Sequence, residues 1–187
     1  CKAVAKATRI TCSGEISQNC SKGDYNQGLN DYYKIIQDKT GELFKASCQV
    51  GAYLGGHSEK TIELLGDFGL SLGMNYQIYD DLIDSFGKRT NAGKTLGCDF
   101  ASGKLTLPII LLLQTVSQEI STKLSNSFVR NMSIEEKKFL IQQIDDNSIL
   151  EKCLSELDSQ TSNLKLICDS IPDTNLSSSL LNLINTF

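Results

Sequence analysis

Eight apolar residues, Ile62, Leu65, Phe68, Leu72, Tyr76, Tyr79, Ile83 and Phe86, follow one another at intervals of three and four. An α-helix returns side chains to one face at that spacing, so the run predicts a single long helix with a buried stripe. Composition agrees. The 187 residues include 25 Leu and 17 Ile but only 4 Val and 2 Pro, a balance that suits helices better than sheets. Upstream, Asp31 is expected to cap a helix running to Leu54, with Gly55-Gly56 ending it and Ser58 capping the next. Inside that helix Lys39-Thr40 is followed by Gly41. A Thr-Gly pair weakens a helix interior by roughly 1 kcal/mol; it can mark a kink where groups meet a ligand, or serve packing alone. Residues 1–20 carry a weak helical pattern, and 21–30 are polar with two glycines and read as a loop. Pro108 suits the first turn of a buried helix in LTLPIILLLQTV, and Ser133 with Glu136 forms a capping-box pattern. Residues 134–187 read as two or three amphipathic helices, broken near Asp145–Ser148 and at Ile171-Pro172-Asp173. With no convincing strand and no internal repeat, the expectation is an all-α bundle, one domain over 1–187.

Several function classes are disfavoured. A net charge of −4 argues against a protein devoted to nucleic acid. The seven cysteines are irregularly spaced without a C-x-x-C, and the single His57 has none close by. They read as buried hydrophobes or free thiols in a reducing compartment rather than a zinc site. The longest apolar stretch, Leu107 to Leu113, is far short of the roughly 20 residues of a membrane span. A cytoplasmic location is the expectation. The chain opens on Cys1 rather than Met, so a preceding segment, including an organelle-directing one, is allowed.

Chemistry concentrates in Asp80-Asp81-Leu82-Ile83-Asp84, a DDxxD. On a helix Asp80 and Asp84 share a face roughly 5–6 Å apart at Cβ, where like charges repel unless something compensates. Gly73, Gln77, Asp80 and Asp84 form a stripe beside the apolar one, which puts the carboxylates at the edge of the core. Clustered carboxylates suit Mg²⁺, which takes one or two of them plus substrate phosphates. The bland alternative is an exposed acidic turn. The following segment carries Lys88, Arg89, Lys94 and Lys104 among Gly87, Gly93, Gly97 and Gly103. That pattern suits a phosphate held by metal on one side and ammonium on the other, or a solvated loop.

In order along the chain stand Gly14-Glu15 with Gln18, Lys39-Thr40 with Leu43-Phe44, then Phe68-Gly69, Leu72-Gly73 and Tyr76-Gln77-Ile78-Tyr79-Asp80-Asp81-Leu82-Ile83-Asp84. Gly93-Lys94, Gly97, Asp99 and Gly103-Lys104-Leu105-Thr106-Leu107-Pro108 follow. Over residues 1–115 this resembles the C-terminal part of a polyprenyl synthetase, a trans-isoprenyl diphosphate synthase; residues 116–187 are compatible with that family's variable C-terminal helices. The resemblance implies an isoprenoid-synthase-type helical bundle around a deep cavity. It implies Mg²⁺ held by Asp80, Asp81 and Asp84, and an allylic diphosphate contacted by Lys39, Thr40, Gln77, Lys94 and Lys104. Lys39, Asp80 and Lys94 would carry catalysis by stabilising the departing pyrophosphate while isopentenyl diphosphate attacks the allylic cation. A homodimer, or a heteromer, is implied as well.

The family's other aspartate-rich motif, its Gly-Gly-Lys/Arg segment and the arginines after that motif have no counterpart in these residues. In the family they lie on helices that would precede Cys1, so the bundle is expected to be incomplete here. The 187 residues alone are expected not to elongate prenyl chains. Two other readings stay open: a non-catalytic subunit of a heteromeric synthase, and a class I terpene cyclase, which also uses a helical DDxxD. Tyr76 and Tyr79 are expected in the core, His57 in a solvated loop. Cys98, beside Asp99, is a thiol whose modification could affect diphosphate binding.

Overall fold

A computed structural model of the chain describes residues 1–86, 104–128 and 132–185. The helices are α1 (Lys2–Cys20), α2 (Leu29–Ile36), α3 (Glu42–Leu54), α4 (Glu59–Phe86), α5 (Leu107–Thr115), α6 (Gln118–Phe128), α7 (Ile134–Asp146), α8 (Ile149–Asp169) and α9 (Thr174–Ile184), and a π-helical turn over Gln37–Gly41 joins α2 to α3. No strand occurs among the described residues, as the composition implied.

Local signals place the ends. Ser58 Oγ accepts from the Thr61 backbone N–H at 3.3 Å and starts α4. Gly56, at φ +74°, takes the left-handed conformation just past the end of α3. Ser133 and Glu136 close the expected capping box, each side chain accepting from the other's backbone N–H. Pro108 lies in the first turn of α5, and Leu107, Ile109, Ile110 and Leu112 are all buried. Asp31 is not the N-cap of α2. The helix begins at Leu29, and Asp31 reaches back from its first turn to accept from Gly28 N–H at 2.9 Å, since a carboxylate there satisfies an orphan donor as well as a cap does.

The chain divides into two compact units. The first comprises Cys1–Ile16, Lys34–Gln77 and Leu157–Phe187; the second comprises Ser17–Tyr33 and Ile78–Glu156. In the first, Phe68 and Leu72 of α4 pack with Leu164 and Cys168 of α8 and Ile184 of α9, flanked by Phe44 and Cys48 of α3. Close approach of α3 to α4 depends on missing side chains. A Cβ at Gly69 would stand 2.6 Å from the Phe44 carbonyl oxygen, and one at Gly73 would stand 2.9 Å from Gly41 Cα. In the second unit the buried apolar residues include Tyr32, Ile78, Leu82, Leu107, Leu112, Leu124, Leu140, Ile149 and Cys153.

The long helix forms as its period predicts, but its stripe is buried only in part. Leu65, Phe68 and Leu72 are in the core, whereas Tyr76, Tyr79 and Ile83 are 45%, 41% and 47% exposed. Past Leu72 the buried side chains of α4 are Asn75, Gln77, Ile78, Asp81, Leu82 and Ser85. Ile78 follows Leu72 by six residues, an interval that moves the buried face about a third of a turn round the helix.

Candidate functional site

The Lys39-Thr40-Gly41 weak point is where helical pairing changes to the π-helical turn over Gln37–Gly41. One extra residue per turn is tolerated in short pieces and often marks a functional position. Two close crossings hold it. A Cβ on Gly14 of α1 would lie 2.6 Å from the Lys39 backbone nitrogen, and Gly41 is buried against Leu70 and Met74 of α4. The absent side chains let backbone meet backbone and bring functional groups together. Lys39 Nζ lies 3.5 Å from Glu15 Oε2, and the Thr40 hydroxyl donates to Gln77 Oε1 at 2.7 Å. Lys39, Thr40 and Gln77, picked out separately from sequence, are thus gathered at one turn of the first unit. Gln77 is buried, and its amide oxygen accepts from Thr40.

The aspartate motif divides. Asp80 and Asp84 are exposed, while Asp81 is 6% exposed. The edge-of-core position expected for Asp80 and Asp84 does not hold, because the buried face has turned toward Ile78, Leu82 and Ser85. Asp81 shares that buried side, and the Tyr32 hydroxyl donates to its Oδ2 at 2.8 Å. Tyr32 itself is 2% exposed, and burial, reinforced by the Asp81 charge, raises its pKa well above the ordinary phenol value. The neighbouring Tyr33 hydroxyl donates to Glu156 of α8. Cys153, also on α8, is buried, and desolvation followed by the Glu156 charge pushes its thiol up to about 12. Sequence periodicity counts Tyr32 only as an apolar position; the available signal is that Asp81, three residues from Ile78 and four from Ser85, falls on the buried side.

Lys104 is half-buried at the approach to α5. Lys94, Lys88, Arg89, Cys98 and Asp99 lie outside the described residues. Tyr76 and Tyr79 are not core residues, although Tyr76 keeps ring contact with Phe44 at 5.9 Å between centroids. Among the described residues no group of three His, Cys, Asp or Glu side chains is arranged to hold a metal ion. None of the described helices is long and apolar enough to cross a membrane.

A sequence model of polyprenyl synthetases matches residues 1–144. A heptaprenyl diphosphate synthase component 2 from Bacillus subtilis (strain 168) is 34% identical over 144 residues, covering 77% of this chain and 40% of the relative. The crystal structure of a decaprenyl diphosphate synthase from Rhodobacter capsulatus superposes with a TM-score of 0.88 at 26% identity, covering 99% of this chain and 57% of that one. A polyprenyl synthase from Caulobacter crescentus CB15, complexed with calcium and isoprenyl diphosphate, gives 0.86 at 28% identity over 98% and 56%. The chain therefore spans less than two thirds of the length of each of these relatives. The residues gathered at the π turn and along α4 are those on which the sequence resemblance rested, and the matched region contains them all: the chain belongs to the polyprenyl synthetase family.

Proposed function

We propose that this chain carries the diphosphate-binding part of a trans-prenyltransferase, which condenses an allylic diphosphate with isopentenyl diphosphate in isoprenoid biosynthesis with Mg²⁺ as cofactor. The observation that carries the reading is the meeting of Thr40 and Gln77. They are 37 positions apart, both expected from the resemblance to touch the diphosphate, and hydrogen-bonded at a π turn that also presents Lys39.

The donor set suits the metal. Asp80 and Asp84 are exposed carboxylates four residues apart on α4, and Mg²⁺ takes hard oxygen ligands from one or two carboxylates and from phosphate. Bound there, Mg²⁺ would supply charge neutralisation of the leaving pyrophosphate. The resemblance assigns Lys39, Lys94 and Lys104 to the diphosphate, for which ammonium groups would supply compensating positive charge. The Thr40 hydroxyl donates to the Gln77 amide oxygen, and an amide N–H₂ is a donor of the kind a phosphate oxygen accepts from. A structural relative complexed with an oxygen-seeking divalent ion and isoprenyl diphosphate supports this ligand class.

The reading is tested by Mg²⁺-dependent binding of a thiolo analogue of an allylic diphosphate. Binding that needs the metal and weakens about tenfold in Lys39→Ala, about 1.4 kcal/mol, supports it. Binding indifferent to Mg²⁺ and to Lys39 refutes it. A second reading, a subunit of a heteromeric synthase, is favoured by the name of one relative, which calls it a component. Prenyl transfer appearing only when a second polypeptide is added would support that assembly over a homodimer.

A further inference from the structure

The DDxxD places three carboxylates on about a turn and a half of helix, and the fold treats them differently. Asp80 and Asp84 are exposed, four residues apart. Asp81 is turned to the side that holds Ile78, Leu82 and Ser85, all buried. A carboxylate on such a side is costly unless hydrogen-bonded, and a phenol supplies the bond. Tyr32 comes from α2, 49 residues away, and its hydroxyl donates to Asp81 Oδ2 at 2.8 Å from an almost completely buried ring. Tyr32 is also tied locally, its ring 5.7 Å from that of Tyr33, whose hydroxyl donates to Glu156. A donor held in this way leaves Asp81 little rotational freedom. Because successive helix positions are fixed at about 100° to one another, fixing Asp81 inward also fixes where Asp80 and Asp84 project.

We infer that Tyr32 is a positioning residue of the aspartate motif: by holding Asp81 inward it makes Asp81 an anchor of this helical turn and leaves Asp80 and Asp84 as the carboxylates presented to a metal. The metal half of this inference rests on the proposed function; the anchor half does not.

Two measurements on the 187-residue chain separate the halves. Carbodiimide labelling of carboxylates, read by mass spectrometry, should modify Asp80 and Asp84 readily and Asp81 poorly. In Tyr32→Phe, which removes a single hydroxyl, Asp81 labelling should rise about fivefold while that of Asp80 and Asp84 stays unchanged. Asp81 reacting as fast as Asp80 in the unaltered chain, or slowly in both, overturns the anchor.

Mn²⁺ titration in the presence of inorganic pyrophosphate, followed by electron paramagnetic resonance, reads the metal. Asp80→Asn and Asp84→Asn should each weaken Mn²⁺ at least about tenfold. Tyr32→Phe and Asp81→Asn should each weaken it only about threefold, and the double variant no more than either alone, since both break the same link. Asp81→Asn weakening Mn²⁺ as much as Asp80→Asn makes Asp81 a ligand and overturns the proposal, as does a double variant equal to the product of the singles. If the unaltered chain binds no Mn²⁺, or Asp80→Asn changes nothing, the metal reading fails while the labelling still decides the anchor.

Discussion

The two ends of α4 obey the same periodicity and meet opposite fates. From Leu65 to Leu72 the apolar stripe is the buried stripe, packed on α8 and α9. From Tyr76 to Ile83 the stripe continues without a break in sequence and is exposed, while a carboxylate, Asp81, lies on the buried side. Period dictates that a helix forms and which residues share a face. It does not dictate which face finds neighbours. In the first stretch the core is apolar and the neighbours close in over glycines. In the second, burial has shifted to Ile78, Leu82 and Ser85 with one hydrogen-bonded charge among them.

The largest expected effect that sharpens this contrast is the loss of Phe68. It is fully buried between α3, α8 and α9, and Phe68→Ala should cost about 3–5 kcal/mol in urea unfolding. A loss under about 1 kcal/mol would mean that this stretch is no better packed than the exposed one.

Alkaline pH should act most strongly on the second unit. The Cys153 thiol is pushed up to about 12 and the Tyr32 phenol is raised from about 10. Both groups are neutral when folded, so below pH 9 their contribution is fully present. Above pH 9 the unfolded thiol ionises while the folded one does not, and stability falls as pH rises toward the folded value. Each such group steepens the loss by about 1.4 kcal/mol per pH unit. Cys153→Ala should flatten the slope between pH 9.5 and 11 by about that amount, measured by unfolding at a series of pH values. An unchanged slope would place the thiol in contact with water.

Gly73→Ala comes next. The added Cβ would meet Gly41 Cα at 2.9 Å and the Phe44 side chain at 3.0 Å, so α4 must move off the π turn. A cost of about 1–3 kcal/mol is expected. The Thr40 to Gln77 hydrogen bond is expected to lengthen with it. Wild-type stability in Gly73→Ala would show that glycine there is not required for close packing.

How much of this is legible in sequence follows from the range of the interactions. The capping box at Ser133 and the end of α3 at Gly55-Gly56 are legible because the partners are neighbours in the chain. The π turn is visible only as a weak Thr-Gly pair, since its form depends on Gly14 and Gly73 pressing on it from other helices. α6 offers only the spacing of Ile120, Leu124 and Phe128 and a start at Ser117, whose Oγ accepts from Ile120 N–H at 3.4 Å, so periodicity alone does not single it out. The DDxxD is legible as chemistry. Its division into two outward carboxylates and one inward is legible only once the buried side of α4 is known, and the partner that meets Asp81 there is a tyrosine 49 residues away.

The smallest expected effect is the most discriminating. Tyr79 belongs to the stripe by spacing and by character, and residue type alone would rank it with Phe68. At 41% exposed it gives up little on truncation, so Tyr79→Ala should change unfolding free energy by no more than about 0.5 kcal/mol. A large aromatic that costs as little as a surface residue, on the helix where Phe68 costs several kilocalories, would establish that the face of α4 changes hands after Leu72. A loss approaching that of Phe68 would instead mean that the stripe is buried along its whole length in solution. Something would then cover Tyr79 and Ile83 that the described residues do not provide. Near-ultraviolet circular dichroism distinguishes the cases, since a tyrosine ring packed in an asymmetric apolar site contributes a signal that a solvated ring does not.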